Sequence, residues 1–81
     1  MKQIITTELV KATMRFLGQV GMKHMIEVQD DLISIHLREG MQIRNFMRST
    51  PYCKDWTHEH DFDDNWIPLI RRCLKYNEFE L

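Results

Sequence analysis

A glycine stands inside the strongest helical pattern of this chain. The run I-H-L-R-E-G-M-Q-I-R-N, Ile35 to Asn45, carries Gly40 with His36 four residues before it and Arg44 four residues after. Residues four apart stack on one helix face, so the three would line a single ridge. Glycine in a helix interior costs about 1 kcal/mol relative to alanine, and Gly40 therefore needs a compensating role. The simplest is close approach of a neighbouring element, with His36 and Arg44 as satisfied polar groups at its margin and Asn45 bonded to a loop or helix terminus. A polar recognition ridge beside Met41 and Met47 is the alternative. The structural reading is preferred, because buried polar groups usually serve local hydrogen-bond needs.

The apolar period around this ridge predicts one helix from about Leu32 to Arg48, capped by Asp30 or Asp31. Ser49, Thr50 and Pro51 end it, since proline disfavours helical backbone in the residue before it. Leu32, Ile35, Ile43, Phe46 and Met47 form the main apolar face, and Leu37 and Met41 extend it toward the far side. Only Ser34, Arg38, Gln42 and Asn45 make a continuous polar strip. A helix this apolar is sandwiched between neighbours or covered by a partner. Glu39 lies near the apolar face and needs a partner, for which His36 is nearest in sequence.

Two further helices flank it. After an extended or frayed lead-in over residues 1–5, Thr6 or Thr7 can cap a helix with Glu8 in its first turn. Leu9, Val10, Thr13, Phe16, Leu17 and Val20 fall on its inner side, and Gly21 is a reasonable stop. Met22 to Gln29 fits a short helix or turn better than a strand. The last helix places Trp66, Ile67, Leu69, Ile70, Cys73, Leu74 and Tyr76 inward and Arg71, Arg72 and Lys75 outward. Asn65 is its expected cap, which puts Pro68 in the first turn, where a missing N–H costs nothing. Between them, Tyr52 to Asn65 reads as a connection packed by Trp56 and Phe62. The tail from Asn77 to Leu81 is expected to fray, with Phe79 and Leu81 able to dock. The expectation is a small all-α bundle of three to four helices, a single helical domain over residues 1–81.

Composition narrows the function classes. At 43% hydrophobic and 28% charged residues the chain should fold, and a formal net charge of −1 disfavours nonspecific binding to nucleic acid. Cys53 and Cys73 do not make the disulfide framework of a secreted domain, and no apolar run reaches the length of a membrane span. Reduced thiols in a cytoplasmic protein are expected. Six methionines fit core filling better than a plastic partner surface.

No complete catalytic signature is present. His58 and His60, with Cys53, Asp61, Asp63 and Asp64 nearby, are the only dense set of metal-capable side chains. The ligand types suit zinc, but no C-x-x-C pair or H-E-x-x-H helix fixes a geometry. A solvated polar loop is preferred, leaving His58, His60 and Asp63 as weak metal candidates. Cys53 with His58 or His60 could act as nucleophile and base, but no local signature supports it. Arg38, Arg44 and Arg48 on the central helix and Arg71, Arg72 and Lys75 on the last could contact phosphates, although Arg38 lies opposite the His36 ridge.

In D-D-L-I-S-I-H-L-R-E-G-M-Q-I-R-N, the residues His36, Gly40, Ile43, Arg44 and Asn45 resemble the H-x-x-x-G-x-x-I-R-N pattern of a small uncharacterised bacterial domain family. A looser likeness continues in the acidic loop before the final helix. The resemblance implies a helical domain, with His36, Gly40 and Asn45 as its structural motif, and no chemistry. The expected function is a noncatalytic protein-binding or regulatory module, homo-oligomeric or acting on another protein, using Leu37, Met41, Arg44 and Arg48. A small inhibitor encoded by a bacterial or phage mobile element fits equally well. The alternative is a nucleic-acid-associated regulator using Arg44, Arg48, Arg71, Arg72 and Lys75. Neither reading needs a cofactor, a small-molecule substrate or a membrane.

Overall fold

Thr6 starts the first helix as the sequence predicts. Its backbone is extended and its hydroxyl oxygen accepts from the Leu9 amide at 3.2 Å, satisfying a donor the helix itself cannot. The computed structural model describes the backbone of residues 4–80 and the side chains of residues 4–76, so the first three residues of the expected lead-in and the docking expected of Phe79 and Leu81 lie outside the described residues. Helix α1 spans Thr7–Glu27, α2 spans Glu39–Ser49 and α3 spans Glu59–Glu80, with short 3₁₀ segments at Leu32–Ile35 and Pro51–Cys53. There is no strand among the described residues. The architecture is a small all-α bundle.

Helix α1 does not stop at Gly21. It breaks at Gly18, whose φ of 69° and ψ of −175° lie in a region that favours glycine, and then resumes as far as Glu27. The predicted short element after Met22 is thus the continuation of α1. The break interrupts the 100° progression of side chains, which corrects the predicted inner face. Leu9, Val10 and Thr13 are buried, but Val20 is 84% exposed and Phe16 is 46% exposed, while Met22 and Met25 enter the core instead. Phe16 stacks on Phe46 of α2 with ring centroids 4.4 Å apart.

The start of α3 is a second correction. The helix begins at Glu59, so Asn65 is not its cap and Pro68 lies deep in its interior. Asp61 provides the local reason: its carboxylate accepts the His58 amide at 3.3 Å, and its backbone carbonyl takes the Asn65 side-chain amide at 2.6 Å. Glu59 and Asp61 place negative charge in the first turn, where the helix dipole favours it. An internal proline costs about 3 kcal/mol. Phe62, Trp66, Leu69, Ile70, Cys73 and Leu74 are all buried along this helix, and each large apolar side chain contributes roughly 1.5–3 kcal/mol on burial. Packing therefore outweighs the proline. The expected fourteen-residue connection shrinks to the stretch around Trp56, whose ring meets Phe62 at 5.5 Å as expected. At the other end the backbone stays helical to Glu80, where fraying is expected from the sequence.

Helix α3 is the surface on which α1 and α2 pack, and Trp66 and Met47 are fully buried between them. The Cα radius of gyration is 11.8 Å, matching the ~12 Å of a folded chain of this length. Among the described residues no helix is long and apolar enough to cross a membrane.

Candidate functional site

The predicted continuous central helix is in fact two pieces. Leu32–Ile35 is a 3₁₀ turn, residues 36–38 turn again, and α2 begins only at Glu39 after Arg38 takes a non-helical conformation (φ −112°, ψ −90°). Neither predicted aspartate caps it by side chain: Asp31 precedes the 3₁₀ segment without such a bond. His36 therefore leaves the ridge it was expected to share with Gly40 and Arg44.

At Gly40, in the first turn of α2, the chain meets the indole of Trp66. A Cβ placed on Gly40 would lie 2.9 Å from Trp66 Cζ2, 3.0 Å from Cη2 and 3.2 Å from the Ile35 carbonyl oxygen, so no side chain fits there. The close neighbour expected at Gly40 is thus α3. The turn swings the His36 ring over the same tryptophan, with centroids 5.8 Å apart. Trp66 Nε1 donates to His36 Nδ1 at 3.2 Å, and Arg44 NH1 reaches the same nitrogen at 3.1 Å and the His36 carbonyl at 3.3 Å. Arg44 Nε completes the cluster with Asp63 at 3.2 Å, and its guanidinium lies 5.9 Å from the Trp66 ring centroid. Four side chains from the turn, α2 and α3 thus meet at one junction. Arg44 is buried there, with NH1 and Nε bonded inside the fold.

The remaining sequence candidates are dispersed. Asn45 is exposed and bonds neither a loop nor a terminus; its Oδ1 accepts from Arg48 in the next turn of the same helix at 2.8 Å. Arg48 also pairs with Glu59 and lies 4.9 Å over the Phe62 ring. Glu39 faces His24 of α1 at 3.6 Å, not His36, and the buried His24 Nε2 has no hydrogen-bond partner. Both border a cleft of about 180 Å³ between α1 and α2. His58 and His60 are exposed and their rings stack at 5.4 Å, while Asp63 turns to Arg44. Among the described residues no three His, Cys, Asp or Glu side chains converge on a point that could hold a metal ion.

Both cysteines are free and buried. Burial pushes the Cys53 thiol above its ordinary value against a weaker opposing hydrogen bond with Thr50, and pushes Cys73 up to about 12. A nucleophilic Cys53 would need the opposite shift. On α3, Arg71, Arg72 and Lys75 are exposed, and Arg72 donates to the Ile5 carbonyl at 3.2 Å.

Leu37 is 78% exposed and Met41 45% exposed, and Ile33 joins them at 69%. Sequence periodicity missed Ile33, because its exposure follows from the 3₁₀ turn and not from a continuous helix. It also missed Asp63 as the partner of Arg44, since nineteen residues of chain separate them. No family model matches the chain, and no curated protein or solved structure matches it either.

Proposed function

We propose that the chain is a noncatalytic protein-binding module that docks through Ile33, Leu37 and Met41. The observation that carries this reading is their joint exposure on one stretch of chain, from the 3₁₀ turn to the first turn of α2. Arg38, exposed and without an ion pair among the described residues, stands beside Leu37. Methionine and arginine are enriched in the cores of protein interfaces, and an unpaired guanidinium complements acid on the other side. The occupant is therefore a partner protein with an apolar surface and a carboxylate beside it. Of the two arginines expected in the docking set from sequence, Arg44 supports that surface from within by tying the turn to α2, while Arg48 is exposed and joins α2 to α3 through Glu59 and Phe62.

The test couples capture to substitution. Leu37→Asp and Met41→Asp should weaken binding of a captured partner at least tenfold while leaving the urea midpoint of the free chain unchanged. Light scattering on a size-exclusion column distinguishes a second copy from a different protein. A monomer whose binding partners bind both variants as tightly as the parent contradicts the reading.

A second reading rests on the exposed Arg71, Arg72 and Lys75 of α3, which could follow a phosphate backbone. The involvement of Arg44 and Arg48 in internal pairs leaves it with one basic face only. Duplex binding that weakens steeply with salt would favour it; no binding at 50 mM salt removes it.

A further inference from the structure

We infer that His36 is a proton-sensitive latch: in its neutral form it ties the Ile33–Leu37 segment to α2 and α3, and protonation releases that segment. The consequence for docking rests on the function proposed above, whereas the latch rests on the geometry of one ring nitrogen.

His36 Nδ1 receives two donors from two helices, Arg44 NH1 from α2 at 3.1 Å and Trp66 Nε1 from α3 at 3.2 Å. A guanidinium and an indole N–H can only donate. The lone pair must therefore sit on Nδ1, the ring proton on Nε2, and the ring is neutral. A second proton has one place to bind, which is that same Nδ1 lone pair. Once there it faces two N–H groups and a guanidinium charge, and both hydrogen bonds are lost. The fully buried Trp66 indole then has no acceptor.

The charges around the ring do not relieve this. On α2 it is faced by Arg44, of like sign. On α3 Asp63 is already bonded to Arg44 Nε. Glu39 is turned to His24 of α1, and Arg38, the residue after the segment, is exposed. Movement of the segment is the remaining relief, pivoting against the buried Leu32 just before it and the packing of Ile35 on the core. Its backbone bonds are local, His36 to Ile33 within it, Ser34 to Asp31 before it and Arg38 to Ile35 after it, and none reaches α1 or α3. Among the described residues, every side-chain hydrogen bond between the segment and the helices ends on His36. Leu37, the most exposed member of the proposed docking face after the segment folds, is the adjacent residue. The proton is thus placed to change how that face is presented.

The experiment follows the two indole N–H cross-peaks of the ¹⁵N-labelled full chain from pH 7.5 to 5.0. Trp56→Phe identifies which peak is Trp66. The latch requires the Trp66 peak to titrate in this range and to stay fixed in His36→Asn, whose Oδ1 offers an acceptor that does not titrate. A Trp66 peak that is flat in the parent, or that moves equally in His36→Asn, overturns it. Long-range ¹H–¹⁵N spectra of the unsubstituted chain at pH 7.5 give an independent check that needs no variant: the neutral Nε2–H tautomer supports the latch, and the Nδ1–H tautomer or a charged ring overturns it. Leu37→Asp separates the two proposals, since it must keep the Trp66 titration even if the docking reading fails.

Discussion

Gly40 shows how one residue is fixed by a contact and not by propensity. Alanine gains about 1 kcal/mol over glycine in a helix interior, but Gly40 is the second residue of α2 and forgoes most of that gain. Here the added methyl would meet the indole of a fully buried Trp66 at 2.9 Å, and overpacking of this kind costs roughly 1–3 kcal/mol. Gly40→Ala should therefore destabilise the chain by about 1 kcal/mol or more in urea unfolding, and a gain in stability would mean that Trp66 moves freely. Cys73 sets a different prediction at the same scale. Burial raises its thiol from the ordinary 9.0 to about 12, so the folded chain keeps a proton that the unfolded chain gives up in between. Stability is then full below pH 9 and falls as the pH rises toward 12. The urea midpoint should drop between pH 8.5 and 10.5, and Cys73→Ala should flatten part of that drop; identical slopes in both proteins would contradict the assignment.

At the scale of elements, α3 keeps its helix through Pro68 because the side chains on either side are buried. Pro68→Ala restores the missing donor and removes the ring from the Asp64 carbonyl, so it should raise stability by about 1–3 kcal/mol. For a domain of this size that is several degrees in Tm, read by thermal circular dichroism. An unchanged or lower Tm would show that the ring's own packing offsets the lost bond. Much of the element structure was legible locally. The Thr6 cap, the buried face of α3 from Trp66 to Leu74 and the Trp56–Phe62 contact follow from patterns a few residues wide. The failures have non-local causes. The turn at residues 36–38 is bonded to Trp66, thirty positions away, and a 100° wheel has no means of representing that contact. The sequence pattern favours Gly21 as the stop, whereas it is Gly18 that takes a positive φ.

For the whole molecule, the stretch that carries the densest motif is interior only at Gly40, Ile43 and Arg44. His36, Arg44, Trp66 and Asp63 join the turn to α2 and α3, leaving Ile33, Leu37 and Met41 as the apolar side chains of that stretch that face solvent. Scaffold and surface thus alternate along residues 33–44, and substitutions should separate them. Leu37→Asp should change the free energy of unfolding by less than about 0.5 kcal/mol, as for other exposed positions, and the docking proposal requires it to weaken binding of a captured partner at least tenfold. The most direct test of the junction itself is the urea unfolding free energy of Arg44→Ala beside those of Arg38→Ala and Arg71→Ala. Charged hydrogen bonds to a buried group contribute about 1.5–3 kcal/mol, and the half-exposed Asp63 discounts the ion pair toward the lower end. A junction role predicts a loss of about 2 kcal/mol for Arg44→Ala, with the two exposed arginines within about 0.5 kcal/mol of the parent. An Arg44→Ala chain as stable as Arg38→Ala would contradict it.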